Sequence, residues 1–382
     1  MRINKINIYK VTLPFRGEFA HSRNRGLLSK NVIVELKTDA GINGYGEGVP
    51  RDYATGETLE QVIQKFNPRY HTEIFPWDCN DFNTINQFIK RFQKNKTSPS
   101  ICCAFELALL DVLGKTEKKS ILDYFNDGQT TNRIRYGAAI TIGRKEKIRN
   151  MCEAIKYFGI KDIRVKMCGD ANINANTLEI VRNLIGDDCD IRIDPNGIWD
   201  REIAFEHLSL IKDYNVSVVE EPFDRDQPGF IEFSDKLKEL KVHLMACHSA
   251  SSLKQIKKII QEGYYDMINI KLSRSGGMIG ALKIIEILRK ERIYFQIGCN
   301  LGESGILSAA GRALCLLNKD AKYYDGSFDP FILKKNITDE HVSFGFNGEA
   351  GPLGGYGLGV NVSPGHLMRL SNGPAAITIV HP

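Results

Sequence analysis

The chain has 382 residues, of which 42% are apolar and 25% are charged, and its formal net charge is +5. This composition is typical of a soluble globular protein and excludes an intrinsically disordered chain. The positive charge is spread without a long lysine or arginine run, so it does not indicate a nucleic-acid partner, although it mildly favours an anionic substrate.

The segment 1–125 predicts an α+β domain. NKINIYKVTL and SKNVIVELKTDAG alternate as antiparallel strands do, and the glycine-rich GINGYGEGV could add a strand or a mobile loop. Apolar residues at helical spacing then predict three helices in ETLEQVIQKFN, CNDFNTINQFIKRFQ and PSICCAFELALLDVLGK. The last of these is apolar enough to be buried.

The segment 126–335 predicts a parallel (β/α) barrel of the TIM type with seven to eight units, starting with a strand in IRYGAAITIG. Short β-prone runs recur at intervals of 24–28 residues, with amphipathic stretches between them, and each run ends in a chemically reactive residue: Lys166, Asp194, Glu220, Cys247, Lys271, Cys299 and Asp325. Strand ends of such barrels gather in one mouth, where catalysis takes place. The glycine- and proline-rich segment 336–382 is expected to pack back on the first domain.

Two lysines are expected to face each other across that mouth. Arg164 and Lys166 are two residues apart on a strand, so both point to the same face. Lys271 would lie opposite Lys166, and two lysines on either side of one carbon can remove a proton from one face and return it to the other. This arrangement predicts an enzyme.

Acidic residues lie between the lysines in chain order. A proton α to a carboxylate is weakly acidic, so the developing enediolate needs concentrated positive charge, which a divalent ion can supply. Asp194 and Glu220 are hard oxygen donors that favour Mg²⁺ or Mn²⁺ over zinc. The alternative for Asp194 is a turn residue, because Asp before Pro-Asn-Gly is favourable turn chemistry.

Taken together, these segments resemble the enolase superfamily, in the muconate lactonizing enzyme-like subgroup of its mandelate racemase/muconate lactonizing enzyme family. RVKMCGD is similar to the strand end of the first base, IDPNGIW and VVEEPF to the segments of two metal ligands, and INIKLSRSGG to the strand of the second base. GINGYGEGVPRDYATGET resembles the capping-domain loop that closes over the substrate. The resemblance covers essentially the whole chain.

The resemblance implies a role for each matching residue. Lys166 and Lys271 would be the bases, Arg164 would tune Lys166 or bind carboxylate, and Mg²⁺ or Mn²⁺ would be the cofactor. The metal ligands would be Asp194 and Glu220, with Cys247 at the third position. The expected substrate contacts are Asn196, His248, Asn300, Glu303, Asp325, Tyr53 and His21. The alternative for Tyr53 and His21 is a solvated position on the capping loops, and the alternatives for His248 are a metal ligand, a base and a structural hydrogen bond.

The segment MACHSASS departs from the family pattern. Cys247 stands where the family has an aspartate, and His248 stands where it has the following glutamate. Cysteine is a poor Mg²⁺ ligand, so weaker Mg²⁺ binding, a different metal and loss of metal-dependent chemistry are all open. The other interpretation of Cys247 is a small buried apolar group.

Residues at the ends of the last two predicted strands indicate which substrates are favoured. Gly302 stands where the family has a glutamate, and Glu303 follows it. Dipeptide epimerases of the subgroup carry Asp-x-Asp at the eighth strand to bind a substrate ammonium, whereas Tyr323-Tyr324-Asp325 keeps only the second acid. A dipeptide substrate is therefore disfavoured.

These observations predict an isomerase, either a racemase or epimerase or a cycloisomerase, or a related lyase, that abstracts a proton α to the carboxylate of a small acid. The alternative is a catalytically altered or metal-free barrel that binds ligands or runs a different reaction. A dehydratase of the mandelate racemase-like subgroup is less favoured, because that subgroup uses a histidine on the seventh strand, where this chain has GCN.

The remaining expectations concern location and assembly. The nine cysteines form no CxxC spacing, which indicates neither a disulfide framework nor a structural zinc site. With no signal-like segment and no long apolar run, we expect a cytoplasmic protein without membrane or nucleic-acid partners. The resemblance implies a homo-oligomer.

Overall fold

An antiparallel sheet and a layer of helices form the N-terminal part of the fold. The computed structural model describes residues 1–21, 24–52, 56–94, 97–126, 128 and 130–381. Strands β1 (Ile3–His21), β2 (Asn24–Thr38) and β3 (Asn43–Gly48) lie side by side in chain order. The helices that follow are α1 (Leu59–Lys65), α2 (Pro68–Ile74), α3 (Phe82–Lys94) and α4 (Pro99–Glu117). Helix α2 was not predicted, because Tyr70 and Ile74 are too few apolar residues in PRYHTEI to show a helical period.

The glycines of β3 allow α4 to lie directly on the sheet. A Cβ atom at Gly44, Gly46 or Gly48 would collide with the backbone of α4. Helix α4 begins after Ser98, whose hydroxyl accepts the N–H of Ile101, and its residues from Ser100 to Gly114 are buried. The glycine-rich motif is therefore a packing strand, and the mobile-loop alternative does not apply to Asn43–Gly48.

A curled, eight-stranded parallel sheet forms the second part of the fold, and its strands follow one another in chain order. The short strand β4 (Ile134–Arg135) precedes it. The barrel strands are β5 (Ala138–Ile140), β6 (Asp162–Lys166), β7 (Asp190–Asp194), β8 (Val216–Glu220), β9 (His243–Ala246), β10 (Met267–Lys271), β11 (Tyr294–Gly298) and β12 (Tyr323–Tyr324). The N–H of Gly137 donates to the carbonyl of Tyr324 at 2.8 Å, which joins the two outermost strands. The predicted TIM-type architecture is confirmed.

Helices alternate with the barrel strands, as in a βα repeat. They are α5 (Lys145–Tyr157), α6 (Ala171–Ile185), α7 (Arg201–Glu206), α8 (Leu208–Asp213), α9 (Phe230–Glu239), α10 (Leu253–Glu262), α11 (Leu272–Ser275), α12 (Met278–Lys290), α13 (Gly305–Leu316) and α14 (Asp329–Ile332). Short 3₁₀ turns occur at Ile121–Tyr124, His248–Ala250 and Phe346–Gly348. Within the described ranges, no helix combines the length and the apolar character needed to cross a bilayer.

The first barrel strand is shorter than the sequence predicted. Strand β4 pairs with β13 (Glu349–Ala350) and lies outside the barrel sheet. The break falls at Gly137, where a Cβ atom would meet the carbonyl oxygen of Asp162 and the guanidinium of Arg192. The predicted strand in IRYGAAITIG is therefore two short strands divided by a glycine that has no room for a side chain.

The C-terminal segment returns to the N-terminal sheet. After helix α15 (Pro364–Leu370), strand β14 (Ile377–Val380) pairs antiparallel with β1 and becomes an edge of that sheet. The backbone N–H of Leu358 also donates to the carboxylate of Asp111 on α4 at 3.0 Å. These contacts bring both ends of the chain into one antiparallel sheet.

The N-terminal part is tied to the barrel next to the site. Glu47, at the end of β3, is fully buried and accepts hydrogen bonds from the backbone N–H groups of Ser304 and Leu307 at 2.9 Å each. The amide of Asn31 donates to the same carboxylate at 2.6 Å. This contact fixes the loop after β11 against the N-terminal sheet.

Candidate active site

Strand geometry explains why the predicted residues meet. In β6, Ile163 and Val165 are buried apolar residues, and Arg164 and Lys166 occupy the alternate positions of the strand. In the parallel pairing of β6 with β7, Lys166 stands beside Asp194. The ends of β8 and β10 bring Glu220 and Lys271 to the same end of the barrel, and Cys247 follows β9.

A cavity of about 440 Å³ lies at these strand ends, and both Lys166 and Lys271 line it. Strands β6 and β10 are the second and the sixth of the eight, so the two lysines approach from opposite sides. Much of the wall is apolar, and its larger apolar residues are Met151, Ile155, Phe158, Ile160, Leu301, Phe328, Phe331, Ile332 and Phe344.

Lys166 is held by acceptors from the next strand and its loop. Its ammonium forms an ion pair with the carboxylate of Asp194 and donates to the side-chain oxygen of Asn196 at 3.0 Å. The other Asp194 oxygen accepts the N–H of Asn196 at 2.9 Å. Burial alone would raise the pKa of the Asp194 carboxyl, but the charges of Lys166 and Arg164 lower it below its ordinary value. Asp194 is therefore an anion.

Lys271 has different surroundings. Its amine forms no hydrogen bond or ion pair with another described residue. Burial alone would lower the pKa of Lys271, but a thiolate at Cys247 would raise it, and the net direction is upward. Burial raises the pKa of the Cys247 thiol, although Lys271 acts in the opposite direction. Cys247 is buried and lies on the Lys271 side of the barrel mouth.

Arg164 and Arg192 form a buried ionic network with Asp325. The guanidinium of Arg192 donates to Asp325 Oδ1 at 2.9 Å, and Arg164 Nη1 lies 3.3 Å from Asp325 Oδ2. Gln296 also donates to Asp325 at 3.1 Å. Burial alone would raise the pKa of Asp325, but both arginines lower it. Asp325 is therefore an anion that protein cations already balance.

Glu220 bridges two sides of this network. Its Oε1 accepts the side-chain N–H of Asn269 at 2.8 Å, and its Oε2 lies 3.6 Å from Arg164 Nη1. Glu220 is 1% exposed, and its Oε2 has no hydrogen-bond partner among the described residues. Among the described carboxylates at the strand ends, both oxygens of Asp194 and Asp325 meet protein donors, and Glu220 Oε2 is the oxygen without a hydrogen bond.

Glu221, the residue after Glu220, organises the loop that carries Cys247. It accepts the backbone N–H groups of Cys247 and Ser249 at 2.6 and 2.9 Å, and His248 Nε2 lies 3.2 Å from its Oε2. Its φ of 46° lies in the left-handed region, which is uncommon for a glutamate. His248 is thereby paired with Glu221, and it is not among the described residues that line the cavity.

Asn196, Asn300 and Glu303 line the cavity, as does Cys299. Burial raises the pKa of Glu303 to about 8, although the N–H of Asn300 donates to its carboxyl at 2.6 Å. Asp325 is buried in its ion pairs and is not among the described lining residues. Tyr53 and the side chain of His21 lie outside the described residues.

The donor set fits a Mg²⁺ site poorly. Mg²⁺ prefers near-octahedral oxygen ligation, but both oxygens of Asp194 already meet protein donors. Cys247 has no side-chain oxygen, and its carbonyl accepts a hydrogen bond from Arg274 at 2.6 Å. Among the described residues, no three His, Cys, Asp or Glu side chains form a group that could hold a metal ion. Binding of Mg²⁺ or Mn²⁺ to this chain stays a prediction.

Several residues that shape the site were missed from the sequence. They are Arg192, Glu221, Asn269, Arg274 and Gln296. A signal for Arg192 was present, because IRVK and IRID carry arginine at the same position of consecutive strands, and the structure pairs Arg164 with Arg192. The others depend on contacts between distant strands and gave no local pattern.

Comparison with known proteins adds the family context. Residues 147–366 match the enolase C-terminal domain-like family, and residues 10–125 match the N-terminal domain of mandelate racemase and muconate lactonizing enzyme. The D-Ala-D/L-Ala epimerase of Cytophaga hutchinsonii is 26% identical over 327 residues, which cover 85% of this chain and 86% of the epimerase. The N-succinyl-L-Arg/Lys racemase of Bacillus cereus is 24% identical over 285 residues, 74% of this chain and 76% of the racemase.

Solved structures share the whole fold. The dipeptide epimerase from Cytophaga hutchinsonii, complexed with Mg and the dipeptide D-Ala-L-Val, superposes with a TM-score of 0.83 at 24% identity, with all of both chains covered. The 2-chloromuconate cycloisomerase from Rhodococcus opacus 1CP gives a TM-score of 0.84 at 23% identity and covers 97% of this chain and 99% of its own.

Proposed function

Because this chain belongs to the mandelate racemase/muconate lactonizing enzyme family of the enolase superfamily, we propose that it is a racemase or epimerase acting on the carbon next to a carboxylate. The observation that carries the proposal is that Lys166 and Lys271 line one cavity from opposite sides. The epimerase and racemase named above support the same general chemistry.

Two opposed lysines suit inversion at one carbon. One lysine, as the free amine, takes the α-proton from its face, and the other, as the ammonium, gives a proton to the opposite face. The electron pair of the broken C–H bond moves into the carboxylate, and the resulting enediolate is planar. A reaction that needs only one base would leave the second lysine without a role, so inversion is favoured over elimination or ring closure.

The cavity supports a substrate with a bulky apolar group and no free ammonium. Phe158, Phe331 and Phe344 lie in its wall, so an apolar substituent would be removed from water there. Asp325 is paired with two arginines and is not available to a substrate ammonium. Burial raises the pKa of Asp329, another lining carboxyl, to about 7. We therefore propose an N-acylated amino acid or an acid without an amine.

Solvent exchange tests the reaction. N-acylated amino acids with apolar side chains are incubated with the enzyme in D₂O, and deuterium at the α-carbon is followed by NMR. We expect exchange with the wild type and with Lys145→Met, since Lys145 is an exposed lysine bonded to Asn176. The double variant Lys166→Met/Lys271→Met is expected to lose it. Exchange that survives in the double variant would remove the lysines from the reaction.

Substrate size tests the apolar wall. Phe158→Ala is expected to raise KM for a substrate with an aromatic side chain about tenfold and to leave KM for an alanine derivative nearly unchanged. Tyr294→Ala is the control, because this exposed aromatic residue begins β11, at the far end of that strand from the cavity. An equal change in KM for both substrates would contradict the assignment of the wall.

A further inference from the structure

The strand ends balance their buried carboxylates with cations of the protein itself. The carboxylates are Asp194, Glu220 and Asp325, and they are 2% exposed or less. The cations in contact with them are Lys166, Arg164 and Arg192. A divalent ion added to this set would therefore bring two positive charges to a group of carboxylates that is already compensated, and a buried charge is tolerated only when it is paired.

The third side of the group is positively charged. Arg274 is 6% exposed, and its Nη1 lies 2.6 Å from the carbonyl oxygen of Cys247 and 3.7 Å from its sulfur. Lys271, the last residue of β10, also lies on this side. The position where a third anionic metal ligand would stand therefore holds the neutral or weakly acidic sulfur of Cys247. The positive charge of the Arg274 guanidinium beside it repels a hard cation.

Arg164 occupies the position between the carboxylates. Its Nη1 lies 3.3 Å from Asp325 and 3.6 Å from Glu220, and the residue lines the cavity with Lys166 and Lys271. A guanidinium has five N–H donors, and Arg164 Nε has no hydrogen-bond partner among the described residues although Arg164 is only 8% exposed. The Arg164 guanidinium is therefore a fixed positive charge at the cavity, and it keeps an N–H donor that no described residue uses.

We propose that this protein transfers the proton without a divalent cation, and that the guanidinium of Arg164 supplies the positive charge that binds the substrate carboxylate and its enediolate. This inference rests on the proposed racemase or epimerase function. Arg164 is the catalytic residue that replaces the ion, and Asp325 and Glu220 are positioning residues that orient it. A guanidinium fork matches the two oxygens of a carboxylate.

The proton and the charge balance in this scheme. The α-proton passes to the amine of one lysine, which becomes an ammonium. The C–H electron pair forms the carbon–carbon double bond of the enediolate, which carries two negative charges on the former carboxylate oxygens, and Arg164 faces these charges. The ammonium of the other lysine then protonates the carbon, and the carboxylate is restored.

A metal titration tests the inference without depending on catalysis. The EDTA-treated wild type is titrated with millimolar Mg²⁺ and Mn²⁺ by calorimetry, and Mn²⁺ binding is followed by electron paramagnetic resonance. We expect no saturable site, and the same rate of deuterium exchange with EDTA as with either ion. Saturable binding of one ion per chain that Glu220→Gln abolishes, or exchange that requires an ion, would overturn the inference. Absence of exchange with every acid would instead contradict the proposed function.

Variants of Arg164 test the catalytic role. Arg164→Gln is expected to lower the exchange rate about 100-fold or more, as loss of a donor to a developing oxyanion does, and Arg164→Lys, which keeps the charge but not the fork, is expected to lie between. Arg201→Gln is the control, because Arg201 is an exposed arginine paired with Glu232 at 3.1 Å. An exchange rate of Arg164→Gln equal to that of the control would overturn the inference. If Arg164→Gln does not fold, Arg164→Lys and the wild-type titration decide.

Discussion

The two lysines of the cavity are positioned in different ways. Lys166 contacts Asp194 and Asn196 on the neighbouring strand and its loop, so two acceptors orient its ammonium. The side-chain amine of Lys271 forms no hydrogen bond or ion pair with another described residue, and its neighbours include the thiol of Cys247 and the guanidinium of Arg274. The contrast teaches that opposite faces of a substrate would meet unequal groups, one preorganised by an anion and the other placed only by its strand end.

The largest expected effect comes from removing each lysine separately. Lys166→Met should slow α-deuterium exchange of one enantiomer about 1,000-fold, because general acid–base groups contribute factors of this order, and Lys271→Met should do the same for the other enantiomer. Each variant should lose racemisation, which needs both lysines. Exchange of the separate enantiomers in D₂O, followed by NMR and chiral chromatography, measures this.

The result also tests whether the lysines serve opposite faces. Lys145→Met controls for the loss of a lysine elsewhere on the barrel. If both variants lose exchange of the same enantiomer and keep that of the other, the two lysines act on one face of the substrate. The assignment of Lys166 and Lys271 to opposite faces would then be wrong.

A second variant removes the anion that pairs with Lys166 and tests the contacts of that lysine alone. Asp194→Asn leaves a largely buried ammonium without its anion, so we expect the free energy of unfolding to fall by roughly 3 kcal/mol. Asp188→Asn is the matched control, because Asp188 pairs with Lys161 at 2.9 Å where both side chains are at least half exposed, and its loss should cost less than about 1 kcal/mol. Urea unfolding of both variants measures the difference. Equal losses would show that the Lys166 pair is no better organised than a surface pair.

A smaller effect concerns Glu303, a cavity carboxyl near Lys271. Burial raises its pKa from 4.5 to about 8, so between these values the folded protein keeps a proton that the unfolded chain releases. The free energy of unfolding therefore falls as pH rises through this window, by up to roughly 1.4 kcal/mol per pH unit for one such group. Glu303→Gln should flatten this dependence in urea unfolding at the two ends of the window.

Glu106→Gln is the control that separates the effect of a buried titrating carboxyl on stability from an effect on the cavity. Burial also raises the pKa of Glu106 to about 8, but Glu106 lies on α4 and accepts the N–H of Ile279. Glu106→Gln should flatten the pH dependence of the free energy of unfolding as much as Glu303→Gln does, and it should leave the rate of α-deuterium exchange unchanged. A slope in Glu303→Gln that equals that of the wild type would show that Glu303 is ionised in the folded protein.

The barrel and its strand ends were predictable because their signal is local and repeated. Regular spacing placed Lys166, Asp194, Glu220 and Lys271 on strand ends, and strand ends of one barrel must meet. The ion pairs of Asp325 were not predictable, because they depend on how β6, β7 and β12 approach across the barrel. The lack of a partner for the Lys271 amine among the described residues was not predictable either, because it depends on the neighbours of β10, such as Cys247 and Arg274. The break at Gly137 and the packing role of the β3 glycines were hidden for the same reason, since both follow from neighbours distant in sequence.

Competitive labelling of lysine amines tests the central claim most directly. The enzyme is treated with an amine-modifying reagent at increasing concentrations of an N-acylated apolar amino acid, and the modification of each lysine is measured by mass spectrometry. If one cavity holds the substrate between the two lysines, Lys166 and Lys271 will be protected together, at the same half-saturating concentration, while Lys145 reacts unchanged. Protection of only one of them, or protection at two separate concentrations, would contradict a shared cavity.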